Sequence, residues 1–413
     1  MPSISQKLQE RFVELLKKVE IFTTKEIDAL CFLATVLSVD PRFSLVRVAR
    51  ASRGRFSRKM LARVLRKYAP VQDRILEALC RQGVHLAGRR FRFFITVDDQ
   101  LVKKRGKKIF GTRRWYDHVA KTSSLALCLV EVGLVVKGEA LFVLPYLVLA
   151  SSVPRPASST PRARATREQD AKTAAAMALI TQVVTWLEEA GVARSKIGVL
   201  ADAWYSNQTF LAFVRAMKLL FRVAGKKNYH AELPDMKRVA QRKKRGRGRR
   251  PARFVKTRRL DLHFETVKAH GSFLDAASGK RVHWKVAIVT LKQGGRVRVF
   301  RFWREGCKEP QFIFTPATYH AQPAPKTVYA DYSWRWRIEE AHRDLKQQFG
   351  LGKCRNRADA VVLGFVGLVY SWYSLFLLTR QNGELAPPER VTAPQYQDEF
   401  IQCLYGKQGV VFA

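Results

Sequence analysis

Three long hydrophobic runs between residues 91 and 149 constrain the fold more than any other feature of this sequence. They read FRFFITVDD (91–99), SLALCLVEVGLVV (124–136) and ALFVLPYLVL (140–149), and they are rich in β-branched and aromatic residues. Such runs are typical of strands that are buried in a sheet. This part of the chain is therefore predicted to form the centre of a sheet.

The segment that follows alternates between helix and strand patterns. An exposed loop rich in Pro, Ser and Arg is predicted at 151–168, a helix at 168–190 and a strand in SKIGVLADAWYSN (195–207) that ends in an acid. A second helix (QTFLAFVRAMKLL) leads into the short strand FRVAG. Strand, carboxylate, helix and strand in alternation favour an α/β fold with a mixed sheet.

The segment DYSWRWRIEEAHRDLKQQFGLG (331–352) is predicted to be one helix that stops at its two glycines. Five polar residues separated by three, four, three and four positions fall in one arc of about 80° on such a helix. They are Tyr332, Arg335, Glu339, His342 and Lys346. This stripe fits a surface that holds a metal and grips phosphates, and it also fits a solvated face with ion pairs.

Carboxylates stand at the ends of two predicted apolar strands, in a chain that is otherwise poor in acids. Asp98 and Asp99 end the strand predicted in 91–99, and Asp202 ends the strand predicted in 195–207. In-line attack on a phosphodiester uses two Mg²⁺ ions about 4 Å apart, and each ion usually takes one or two carboxylates. Three acids from separate elements, with Glu339 as the third, would suffice.

The charge balance points to a polyanionic partner. There are 75 Lys and Arg against 34 Asp and Glu, a net charge of +41 at pH 7. A compact chain with this charge repels itself unless a polyanion neutralises it, so nucleic acid is the leading partner and an anionic membrane surface the alternative. The uncharged run 360–379 is long enough to span a bilayer, but its serines, glycines and polar aromatics favour a buried core helix.

Two further regions are strongly basic. Residues 44–68 read as a helix, a short turn and a basic helix, the general shape of a helix-turn-helix DNA reader or of a bundle with a solvated basic surface. Residues 237–259 contain thirteen Lys or Arg and no acid, and they open a stretch of alternating strands. The six scattered cysteines form no C-x-x-C motif, which favours a reducing cytoplasm over a zinc module or a disulfide scaffold.

The chain resembles a known family in three motifs. Tyr332, Arg335, Glu339 and Lys346 fit the signature Y-x2-R-x3-E-x6-K, while VDDQLVKKRGKKIFG (97–111) and VLADAWYSN (199–207) resemble two preceding acidic motifs. On these residues the chain resembles the DDE-type transposases of bacterial insertion sequences, in the family-4-like group with a β-rich insertion before the glutamate. The resemblance covers roughly residues 91–352.

The resemblance implies a fold and an organisation. It implies an RNase H-like core at 91–225 and 326–380, interrupted by a β-rich insertion with the basic loop at 226–325. A helical DNA-binding region at 1–90 precedes the core, and a tail at 381–413 follows it.

It also implies the site. Asp202 would be the second metal-binding acid and Glu339 the third, while the first is Asp98 or Asp99, which face opposite sides of a strand. Tyr332, Arg335 and Lys346 would grip the DNA backbone near the scissile phosphate, and His342 would bind there near the reacting water. Lys103, Lys104 and Arg105 would lie along the DNA path. The arginines of the basic loop would contact the transposon end, and they are Arg245, Arg247, Arg249 and Arg250.

The implied activity is Mg²⁺-dependent hydrolysis at the ends of the element, followed by attack of the freed 3′-OH on target DNA, with Mn²⁺ as a possible substitute ion. The implied partner is double-stranded DNA, both terminal inverted repeats and target, bound by a homodimer on paired ends in the cytoplasm at the bacterial nucleoid, without a membrane. Two alternatives stay open. One is a catalytically inactive DNA-binding protein derived from such an enzyme, and the other is a membrane-associated basic protein anchored by 360–379.

Overall fold

A computed structural model of the chain describes residues 4–39, 44–117, 120–149, 161–234, 255–292, 295–317 and 323–382. Its helices are α1 (Ile4–Lys18), α2 (Thr24–Val39), α3 (Leu45–Ala51), α4 (Arg58–Tyr68), α5 (Gln72–Ala87), α6 (Pro161–Glu189), α7 (Gln208–Ala216), α8 (Leu260–Glu265), α9 (Pro325–Ser333), α10 (Trp336–Gln347) and α11 (Asp359–Gln381). Its strands are β1 (Phe93–Lys103), β2 (Arg113–Asp117), β3 (Thr122–Val136), β4 (Glu139–Val148), β5 (Ile197–Ala201), β6 (Leu220–Gly225), β7 (His230–Pro234), β8 (Val255–Arg259), β9 (His270–Leu274), β10 (Arg281–Leu291), β11 (Gly295–Arg304) and β12 (Gln311–Pro316).

The chain divides into two units, residues 1–193 with 336–413 and residues 194–335. In the first unit, β3 lies between β1 and β2 and also pairs with β4, and all of these pairs are antiparallel. In the second unit, β5 and β6 are parallel, and the sheet continues through β12, β11, β10, β7 and β8 with antiparallel pairs. The α/β class with a mixed sheet is therefore confirmed and is consistent with a DDE or RNase H-like fold.

Helix α11 is the buried core helix that the uncharged run predicted. It is the one helix within the described residues that is long and apolar enough to cross a membrane, and 94% of its most apolar window is buried inside the protein. Its Trp372 contacts Phe12 of α1, and the Trp372 indole donates to Ser38 of α2. Helices α1 and α2 of the first unit therefore pack against α11.

Two predicted boundaries are wrong. Helix α6 begins at Pro161, inside the predicted loop 151–168, because proline is well tolerated in the first turn of a helix. The predicted single helix 331–352 is broken between α9 and α10. There the amides of Trp334 and Arg335 donate to the carbonyls three residues earlier, so the regular i to i−4 ladder stops. Tyr332 lies on α9, Arg335 lies in the break, and Glu339, His342 and Lys346 lie on α10.

Candidate active site

One face of β1 carries Asp98 and lies under α10. Asp98 is paired across the β1–β3 ladder with Glu131, and Thr96 is paired with Gly133, so these positions share one face of the sheet. A side chain at Gly133 would place its Cβ 2.7 Å from Thr96 Oγ1 and 3.1 Å from Ile338 Cδ1. The glycine thus allows α10 to approach the sheet closely at Ile338, one turn before His342.

Glu131 is a buried carboxylate at the centre of this face, and it is not among the site residues predicted from the sequence. Its side chain has no exposed surface. Gln100 of β1 and Tyr370 of α11 both donate hydrogen bonds to Glu131 Oε1. On the other side, His342 Nε2 of α10 lies 2.6 Å from Glu131 Oε2. Neither of these two atoms has a well-aligned hydrogen bond, so the contact is a close ion pair. The feature of the sequence that could have indicated Glu131 is its position as the one acid inside the apolar run 124–136.

The surroundings of His342 favour its protonated form. Burial is the largest single influence and lowers the pKa of His342, but the negative charges beside the ring, Glu131 foremost, together raise the pKa above its usual 6.5. Asp98 acts in the same direction, and Lys346 opposes it. The face therefore combines the Asp98 carboxylate with two basic groups of α10.

Asp99 meets a different environment on the opposite face of β1. Its Oδ2 lies 2.6 Å from Nζ of Lys172, a nearly buried lysine on α6. Burial would lower the pKa of Lys172, but the Asp99 charge raises it overall. Asp99 therefore neutralises a buried lysine, whereas Asp98 lies on the side of α10.

Asp202 lies in the second unit, directly after strand β5 as expected. Its Oδ1 accepts a hydrogen bond of 2.8 Å from the amide of Trp204. The turn that follows is held by the Ser206 hydroxyl, which donates to Ala203 O, and by Asn207, which caps α7 through the Phe210 amide. These contacts fix the backbone that carries Asp202.

The first two residues of the signature also lie in the second unit. Tyr332 is 7% exposed and packs with Val328, Phe300 and Phe302 in the core between α9 and the sheet. The Arg335 guanidinium lies 6.0 Å from the centre of the Tyr332 ring. A fully buried Arg222 on β6, 3.2 Å from Asp331, ties α9 to the sheet just before Tyr332.

The basic residues after β1 differ in their surroundings. Lys103 is largely exposed and pairs with Asp117 at 3.0 Å, and Arg105 is exposed. Lys104 is buried, and its ammonium donates to the carbonyls of Gly352 and Cys354 at 2.8 and 3.0 Å. The predicted contacts at Arg245, Arg247, Arg249 and Arg250 lie outside the described residues.

The donor chemistry of the α10 face fits a hard divalent cation. Asp98 and Glu339 are partly exposed carboxylates, the oxygen ligands that Mg²⁺ prefers, whereas Glu131 is committed to three partners. In the described part of the chain, no group of three or more His, Cys, Asp or Glu side chains is arranged to hold a metal ion.

Comparison with known families gives one match and one negative result. The family described as DDE superfamily endonuclease matches residues 19–289, about two thirds of the chain. This range contains Asp98, Asp99, Glu131 and Asp202, but it ends before α10. A comparison with curated proteins finds no match. DNA is the substrate that this family implies. Because the match covers well over half of the sequence, the chain belongs to the DDE superfamily endonucleases.

Proposed function

We propose that this DDE endonuclease is a transposase of the family-4-like group of bacterial insertion sequences. It cuts the ends of its element by phosphodiester hydrolysis and joins the freed 3′-OH to target DNA. The observation that carries the proposal is the meeting of two motifs in the first unit. Asp98 of the first acidic motif faces the helix α10. The negative charge of Asp98 is close enough to His342 and Lys346 to act on the pKa of both in the upward direction.

The proposed roles follow the chemistry of the side chains. Asp98, Asp202 and Glu339 would hold divalent metal, Mg²⁺ or Mn²⁺, and the inclusion of Asp202 rests on the sequence alone. When bound, Mg²⁺ supplies an activated water and stabilises charge on the phosphate. Lys346 and Arg335 are cations suited to backbone phosphates, and His342 is held beside Asp98 by Glu131.

The organisation of the chain remains part of the proposal. Helices α3 and α4, joined through Gly54 at φ +82°, would read DNA as a helix-turn-helix within a region 1–90. The β-rich segment 226–325, with its basic loop, would contact the transposon end. A homodimer would act on paired ends at the nucleoid.

The test is cleavage of a labelled duplex that carries the terminal inverted repeat of the element encoding this chain, with and without Mg²⁺. Glu339→Gln should abolish cleavage because it removes a carboxylate ligand. Glu340→Gln is the matched control, since Glu340 is the adjacent acid and pairs with Arg337 at 2.8 Å. This control should cleave like the native protein.

Two results would contradict the proposal. Equal cleavage by the native protein and Glu339→Gln would remove Glu339 from the site. Tight binding of the duplex without cleavage in Mg²⁺ or Mn²⁺ would favour the inactive DNA-binding derivative instead.

A further inference from the structure

Glu131 is an unusual residue for its position in the sheet. It is the one charged residue in the run 124–136, and its neighbours on β3 are buried and apolar. Burying a carboxylate is costly unless it is paired and hydrogen-bonded, and an apolar replacement at such a site is often neutral or stabilising. Packing alone therefore does not account for an acid at this position.

The contacts of Glu131 bring together three separate elements. Gln100 belongs to β1, His342 to α10 and Tyr370 to α11, and all three side chains converge on one carboxylate. Each Glu131 oxygen has a distinct task. Oε1 accepts from Gln100 and Tyr370, which fix the carboxylate, while Oε2 lies 2.6 Å from His342 Nε2. The ion pair thus holds the imidazole ring of α10 close to this carboxylate.

The ring that Glu131 holds lies at the proposed reaction centre. His342 is one helical turn from Glu339, and Asp98 is directly across the ladder from Glu131. Because Nε2 faces Glu131, Nδ1 is the ring nitrogen that Glu131 does not contact. A small displacement of a group at a reacting phosphate can cost about a hundredfold in rate.

We propose that Glu131 is a positioning residue of the DNA-cleaving site, which acts by holding the His342 imidazole against the face of β1 that carries Asp98. This inference rests on the proposed function. It adds a fourth acid that would act through His342 and would not bind the metal.

The experiment combines a spectroscopic and a kinetic readout on the full chain. In protein labelled with ¹⁵N-histidine, the His342 signals are assigned from their loss in His342→Gln. Glu131→Gln keeps the size of the side chain but removes its charge. It should move the imidazole signals of His342 and leave those of the other histidines in place.

The kinetic readout is a double-mutant cycle on inverted-repeat cleavage. Glu131→Gln should lower kcat about tenfold to a hundredfold, with an unchanged Kd for the duplex. The double variant with His342→Gln should be no slower than His342→Gln alone, because Glu131 acts through that ring. A merely structural role would not produce this coupling.

Three outcomes would overturn the inference. Two of them are unmoved His342 signals in Glu131→Gln and losses of activity that multiply in the double variant. The third is full activity of His342→Gln, which overturns the inference even if Glu131→Gln does not fold. Failure of the native protein to cleave would instead overturn the proposed function, and the histidine spectra distinguish the two cases.

Discussion

Two adjacent aspartates illustrate how strand geometry assigns different tasks to identical side chains. Asp98 lies on the face under α10, near His342 and Lys346, while Asp99 lies on the face under α6 in an ion pair with Lys172. Their sequence neighbourhood left both open as ligands, because each directly follows the hydrophobic run. Their neighbours in the folded chain, α10 for Asp98 and Lys172 for Asp99, come from distant parts of the sequence and distinguish the two roles.

Substitution of each aspartate by asparagine should separate chemistry from stability. Asp98→Asn should lower DNA cleavage by at least about a hundredfold, since charge stabilisation by a bound metal is worth several kcal/mol, and should change the free energy of unfolding little. Asp99→Asn removes the carboxylate that lies 2.6 Å from the buried Lys172 ammonium, which should cost about 3 kcal/mol of stability. Cleavage assays and urea unfolding measure the two effects. Normal cleavage by Asp98→Asn together with an inactive, stably folded Asp99→Asn would reverse the assignment.

Lys104 should leave a signature in the pH dependence of stability. Burial lowers its pKa to about 8, from 10.5 for an ordinary lysine. Between these two values the folded chain has lost a proton that the unfolded chain keeps. This group therefore makes the free energy of unfolding rise with pH by up to about 1.4 kcal/mol per unit. Below about pH 8 both states keep the proton, and the contribution is constant.

The measurement is urea unfolding from about pH 8 to about pH 10 in native protein and in Lys104→Met. The difference in unfolding free energy, native minus variant, should increase over this range. Lys107→Met, at an exposed lysine of the same loop, is the control and should give a constant difference. A constant difference for Lys104→Met as well would contradict the effect.

At the scale of elements, local patterns predicted the buried strands well and their polar continuations poorly. The hydrophobic half of β1 was evident, but the strand continues to Lys103 because β3 pairs with it as far as Ala126. Helix α10 was predicted on its polar stripe, but the break before it depends on a local change of hydrogen bonding at Trp334. Glu131 was read as part of an apolar run, because its three partners come from β1, α10 and α11, which no local pattern connects.

The packing of α11 against α4 depends on a glycine. A Cβ at Gly364 would lie 1.9 Å from the backbone carbonyl oxygen of Leu65, whereas one at Gly367 would lie 1.9 Å from the side-chain oxygen of Gln72. Gly364→Ala should destabilise the protein by about 1–3 kcal/mol, because backbone cannot move aside easily and overpacking outweighs the gain in helix propensity of about 1 kcal/mol.

Gly367→Ala is the matched comparison, since the Gln72 side chain can rotate away. It should cost clearly less than Gly364→Ala in thermal or urea unfolding. Equal losses in the two variants would show that the close approach to α4 does not control the packing of α11.

At the scale of the whole molecule, the net charge of +41 favours binding to polyanions, and the burial of α11 argues against insertion into a membrane. The charge attracts any polyanion, DNA or anionic lipid. Insertion into a bilayer would require α11 to leave the core, where its aromatic side chains contact α1 and α2. Binding to lipid should therefore be purely electrostatic, while DNA adds contacts at the proposed site.

Salt dependence tests this reasoning. Each phosphate neutralised on duplex DNA releases counterions, so a footprint of about six or more phosphates should weaken binding on the order of a thousandfold between about 50 and about 200 mM salt. Fluorescence anisotropy with an inverted-repeat duplex measures the slope, and phosphatidylserine vesicles provide the comparison. Because α11 stays buried, high salt should release the protein completely from the vesicles. Retention on vesicles after a high-salt wash would show that α11 can enter a bilayer, and an affinity for DNA that ignores salt would contradict a phosphate-based interface.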